Sequence, residues 1–377
     1  MNRITAAATS LVLMGALACD GGNSSIGPDL PGVVQNDQSV CVIPTTEIFD
    51  GGPGKDGIPA LTDPHMVRPD HPDAQWVDPE DRVIGVVYDG RAIAIPHTLG
   101  WQHEIMNMSH PVMLSATYCP LTGSSMVFDR EALHGAEFGV SGLLYRTNLI
   151  MYNRSNPEAL WSQMGRSAVC GATRGTPLPM LAAFEMNWEG WRTLHPETLV
   201  PAHDLSRNQL YGLYRYPYGD YETSGAILFP FPEEDFRRPL KERVLGIPAS
   251  EISLPTTPGG SGGRTAMAFP FGALDEAGPV TVAEADLGDG PVVVFWNRAW
   301  QGAAAFHAEL DGEQMDFVVE GGKVRDAATG SSWRLDGLAE SGPLEGRQLT
   351  PIADAYVAFW FAWAEFNQGT EVWTAGE

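Results

Sequence analysis

The sequence predicts an α+β fold that is mostly β, built as two related β-rich modules with short helices. Three observations predict it. The 377 residues carry 42 glycines and 29 prolines, which calls for many turns. Extended apolar runs, such as residues 110–114 and 290–294, read as strands. Two long stretches also repeat one another in order and near-equal spacing. Residues Asn153, Trp161, Gly165, Ala168, Gly171, Gly175, Leu178, Trp191, Thr198 and Val200 are followed later by Arg325, Trp333, Gly337, Ala339, Gly342, Gly346, Leu349, Trp363, Thr370 and Val372. A period this long indicates an internal duplication rather than a solenoid.

Residues 1–18 read as a signal peptide, with Arg3 ahead of a short uncharged apolar stretch too short to span a bilayer. Cys19 follows Gly15, Ala16, Leu17 and Ala18, a relaxed lipobox with Ala16 where leucine is usual. The expectation is acylation at Cys19, attachment to a membrane through that lipid, and a polar tether over 19–45. The competing reading is plain secretion, with Cys19 merely near the cleavage site. Both have the chain exported, and the first places it in the cell envelope.

Residues 46–82 form an N-terminal segment ahead of the first module, 83–254, whose repeated part is 83–202. Residues 255–264 are rich in Pro, Gly and Ser and read as a linker. They lack the Lys-Ser/Thr of a phosphate loop. The second module, 265–377, is degenerate in its chemistry. Residues 354–366 hold neither Gly nor Pro and are expected to form the clearest helix.

The formal net charge is -24, from 23 Lys+Arg against 47 Asp+Glu. That argues against nucleic acid as a partner. Besides Cys19, the chain has Cys41, Cys119 and Cys170, so at most one pair among these three can close and one thiol remains.

The chain resembles the bacterial and archaeal proteins of domain of unknown function 3179. The resemblance rests on the loop from Asp50 to Pro59, on His103, Glu104 and Asn107, and on Tyr118-Cys119-Pro120-Leu121. It continues through Ser141-Gly142-Leu143-Leu144, Trp161-Ser162-Gln163 and His195-Pro196-Glu197-Thr198. It spans about residues 47–373 and implies no established activity. Two departures are Thr122, where some members place a second cysteine, and Asn153, where relatives often carry Asp.

The repeat separates framework from chemistry. Trp, Gly and Leu positions recur in both modules, as packing and turns require. The first alone carries His97, His103, Met106, Met108, His110, Met113, Cys119 and Cys170; residues 272–306 contain no His, Cys or Met until the strand reaching Phe306. Cys119 is the leading candidate, as thiolate ligand or nucleophile, against the plainer readings of a disulfide or an inert buried thiol. His103 with Glu104 offers a ligand or a base with its orienting carboxylate. A soft metal, copper among them, would draw on Cys119, His103, His97, His110 and Cys170, with the methionines nearby. Three functions stay open: a lipoprotein binding a soft metal or small ligand around Cys119 and His103, a thiol enzyme with Cys119 as nucleophile and His103 as base, and a scaffold without chemistry.

Overall fold

The computed structural model describes residues 40–202, 216–232, 235–249, 251–254 and 264–376. Cys19 and most of the expected linker lie outside the described residues. Strands dominate, with four α-helices of seven residues each among the described residues: α1 (His97–His103), α2 (Trp188–Leu194), α3 (Phe271–Ala277) and α4 (Trp360–Phe366). No helix among them is long and apolar enough to cross a membrane.

One order of elements recurs. Strands Arg82–Tyr88 and Arg91–Pro96 pair antiparallel and lead into α1; strands Arg243–Ile247 and Met267–Pro270 do the same and lead into α3. Pro96 and Pro270 stand at the two helix starts, where a fixed φ suits the first turn and no N–H is lost. A three-strand meander follows each: Ile105–Met108, Leu114–Cys119 and Ser124–Asp129, then Val280–Asp286, Pro291–Asn297 and Gly302–His307. A small antiparallel sheet comes next, and then a strand running into α2 or α4.

The matching extends to hydrogen bonds. Trp161 Nε1 donates to Asn153 Oδ1 (3.0 Å), and Trp333 Nε1 donates to Asp326 Oδ2 (3.2 Å). Trp191 Nε1 donates to Thr198 Oγ1 (2.9 Å), and Trp363 Nε1 to Thr370 Oγ1 (3.0 Å). Gly171 and Gly342 share φ +99°, a backbone open to glycine and strained for other residues. The recurring order opens at Arg243, ahead of residues 255–264, not after them.

The two series of elements are interleaved. In the eight-stranded sheet, the meander ending at Asp129 joins strand Tyr356–Phe359 through Ser125 and Val357. In the six-stranded sheet, the meander ending at His307 joins strand Phe184–Asn187 through Ala303 and Glu185. Each large sheet therefore draws strands from both parts of the chain.

The helix expected over 354–366 is corrected. Its first half is the strand Tyr356–Phe359, and only Trp360–Phe366 is helical. Tyr356, Val357 and Phe359 are aromatic or β-branched residues that suit a pleated surface, and Tyr356, Val357, Ala358 and Phe359 all pair with strand Arg243–Ile247.

Candidate functional site

The site is organised by α1 and by the strand Leu114–Cys119 against which it packs. Gly100 lets the two approach: a Cβ there would lie 2.8 Å from the Cβ of Tyr118. The helix stops at Glu104, whose N–H donates to the Gly100 carbonyl (2.9 Å) and whose φ is +55°. That left-handed conformation at a helix end ordinarily belongs to glycine, and a glutamate held there is strained.

Glu104 is also buried, at 8 % exposure. Burial pushes its carboxyl up to about 8, so at neutral pH it carries its proton. His103 Nδ1 lies 2.7 Å from the Pro59 carbonyl. A carbonyl only accepts, so Nδ1 carries the hydrogen and Nε2 is the acceptor in the neutral ring. Burial lowers the His103 pKa, partly opposed by that hydrogen bond, and keeps the ring neutral. His103, Glu104 and Tyr118 line one small cavity whose other walls are mostly apolar, among them Leu61, Ile84 and Met106. Its volume of about 10 Å³ is that of one water.

Cys119 follows Tyr118 and belongs to the opposite face of the strand, as the period of two requires. It packs in the core with Leu121, Met126 and Leu149 and does not line the cavity. Burial raises its thiol to about 11, and the nearby carboxyl of Glu104 adds to the rise; hydrogen bonds from Thr122 oppose it. Of the expected partners, Glu104 is thus the group whose charge bears on the thiol. A thiol held so high is a poor nucleophile at neutral pH. The segment beginning at Tyr216 covers this region: Tyr216 donates to the Pro120 carbonyl (3.3 Å) and Tyr221 to the Leu121 carbonyl (2.8 Å).

Below Cys119 the core is polar. Asn148 Nδ2 donates to Thr122 Oγ1 (3.0 Å) and Gln163 Oε1 (2.7 Å), Ser124 donates to the same Gln163 oxygen (2.7 Å), and Gln163 Nε2 donates to Thr117 Oγ1 (2.9 Å). All five residues are buried. Thr122, the departure from a cysteine pair, is thus a member of a closed hydrogen-bond network.

The remaining expected ligands are dispersed. Cys170 is corrected: its sulfur is bonded to Cys41 and supplies no thiolate, leaving Cys119 as the free cysteine among the described residues. His110 is exposed ahead of Pro111, while Met106 and Met108 are core residues. Among the described residues no group of three His, Cys, Asp or Glu side chains could hold a metal ion.

His97, at the other end of α1, belongs to a cluster that sequence reasoning missed. Its ring lies against Tyr118, with centroids 4.2 Å apart. Its Nε2 is 3.2 Å from Ser125 Oγ and 3.5 Å from Glu185 Oε2, and Ser125 donates to that same carboxylate oxygen (2.5 Å). Arg82 reaches the other Glu185 oxygen at 2.6 Å, and Arg243 comes within 4.0 Å of it. Tyr118 donates to Glu222 (3.3 Å), which also pairs with Arg243 (3.4 Å). Burial opposes a charge on Glu185, but Arg82, His97 and Arg243 outweigh it and hold the carboxyl far below the usual range. Burial in turn lowers the His97 pKa despite Glu185. Serine and carboxylate both address the same histidine nitrogen, which is not the relay of a hydrolytic triad. The legible signal was Glu185, a single carboxylate inside the apolar run 181–188.

In the recurring order, Phe271 opens α3 where His97 opens α1, and its ring lies 4.9 Å from Trp296 as His97 lies against Tyr118. The second series is apolar where the first is polar.

The family model described as a protein of unknown function (DUF3179) matches residues 55–370. The chain belongs to that family. No curated protein and no solved structure matches it.

Proposed function

We propose that this member of the family is an envelope lipoprotein that binds one small polar group of a ligand in the cavity between α1 and the strand Leu114–Cys119. The reading also takes the two series of elements as copies of one module, of which the first keeps the chemistry. The observation that carries it is Glu104. A carboxyl buried with no cation beside it among the described residues destabilises the fold, and its left-handed backbone adds to that cost. Such a group lining a cavity has its use when something binds there. Protonated Glu104 offers a donor, so a hydroxyl or carbonyl oxygen of a ligand can accept from it. The raised thiol of Cys119 disfavours the nucleophile reading.

The test is thermal stabilisation of the mature protein by acetamide, ethylene glycol, methylammonium and copper(I), at pH values on either side of 8. A ligand accepting from protonated Glu104 stabilises below that pH and loses effect above it. Glu104→Gln then binds without the pH dependence, and Glu104→Leu does not bind. A metal ion would show the opposite sign, since it must displace the proton. If nothing stabilises the protein, or if Glu104→Leu responds like the wild type, the reading fails. Anchoring is checked separately: Cys19→Ser should release the protein from the membrane fraction.

A further inference from the structure

A second cleft, apart from the cavity on α1, lies between the second series of elements and the end of α2, from which Thr193 and Leu194 line it. It encloses about 350 Å³, within the range of small-molecule sites. Phe295, Trp300 and Trp333 line it together with Asn297, Lys323 and Glu340. The cleft exists because a hairpin is short. In the first series the hairpin strands Phe138–Tyr145 and Asn148–Asn153 run eight and six residues; in the second, Phe317–Glu320 and Lys323–Asp326 run four each. Gly321 and Gly322, at φ +59° and +75°, close that hairpin in a tight turn that needs two residues in the left-handed region. Where the first series fills the space beside Cys119 with the longer hairpin and with Tyr221, the second leaves it open.

The lining selects the ligand class. The charges on the lining are paired: Lys323 Nζ lies 2.6 Å from Glu340 Oε1, and Arg334, which also lines the cleft, is held by Asp336, so no unpaired charge there favours an ion. Glu340 also accepts from Ser332 (3.2 Å), which fixes it in place. Asn297 Oδ1 accepts from the backbone N–H of Trp300 (3.1 Å), and its amide N–H₂ remains as a donor beside the rings. Trp300 is half-buried, its indole backed by the bare Gly190, where a Cβ would lie 2.6 Å from the ring. Aromatic faces beside a neutral set of donors and acceptors match a molecule with an apolar face and hydroxyls around its edge. A hydrocarbon chain would leave the Asn297 N–H₂ without water or a partner and strip water from the Lys323–Glu340 pair. We infer that this cleft binds a neutral saccharide, one sugar ring against the indole of Trp300 and its hydroxyls on Asn297 and the Lys323–Glu340 pair.

The inference does not depend on the cavity at Glu104. It is tested by titrating the full mature protein with cellobiose and with diacetylchitobiose, following both heat and indole fluorescence. One saturable site per chain is expected for at least one sugar, with a change in tryptophan emission. Trp300→Ala should weaken it by at least about tenfold. Glu340→Gln should weaken it less. If Trp300→Ala does not fold, as judged by circular dichroism, Glu340→Gln and Lys323→Met decide. Absence of binding to either sugar at millimolar concentration overturns the proposal, as does binding that none of these cleft variants weakens.

Discussion

Glu104 carries a cost that varies with pH. Its carboxyl titrates near the ordinary carboxylate value of about 4.3 in the unfolded chain and at about 8 in the folded one. Below both values the two states are equally protonated. Between them only the folded state holds the proton, so stability falls as pH rises, and above about 8 the loss is complete. Glu104→Gln removes this titration. The variant should match the wild type near pH 4 and exceed it by a few kcal/mol above pH 8, read from urea midpoints across that range. A constant difference would show that Glu104 does not titrate in the fold. Cys119 makes a companion case. With its thiol buried and raised to about 11, alkylation of the native protein at pH 8 should run orders of magnitude slower than in urea. Fast native labelling would restore the nucleophile reading.

Within the elements, close approach explains positions that composition alone leaves open. Gly85 lies under the indole of Trp191, where a Cβ would sit 2.2 Å from a ring carbon, and Gly246 lies under Trp363 at the same distance. Gly85→Ala and Gly246→Ala should each cost about 1–3 kcal/mol by overpacking, and by similar amounts, since the two contacts are alike. Chemical denaturation measures both. A free substitution at one site and a costly one at the other would break the correspondence between the two series. The Trp, Thr and Gly positions that recur in the sequence are legible for this reason: each indole needs a bonding partner and a bare backbone beside it. The partial failure at 354–366 has an equally physical source. A short apolar run without Gly or Pro suits either a buried strand or a buried helix. Pairing with Arg243–Ile247 decided for the strand up to Phe359.

At the scale of the whole molecule, interleaving sets the folding unit. Each large sheet joins a meander from one part to strands from the other. Residues 83–254 and 265–377 expressed separately should therefore remain unfolded, because each would expose a sheet edge that the other covers. Mixed together they should recover the circular dichroism of the intact chain. A cooperative unfolding transition in either fragment alone would show that the modules are independent.

The sequence by itself determined the β-rich class, the family, the recurrence of Trp, Gly and Leu positions, and the concentration of His, Cys and Met in the first part of the chain. Those properties follow from composition and local spacing, which a linear reading preserves. Tertiary structure alone decided which of these residues meet. Cys170 spends its thiol on Cys41, 129 residues away. His103 and Cys119 fall on different sides of one strand, while Glu104, read as a helper of His103, becomes the buried acid of the cavity. Glu185 gathers Arg82, His97 and Arg243 from three separate stretches of chain at the junction of the sheets. Such meetings depend on which strand pairs with which over long separations. That pairing is fixed by burial of whole sheet faces, not by the residues on either side of a motif.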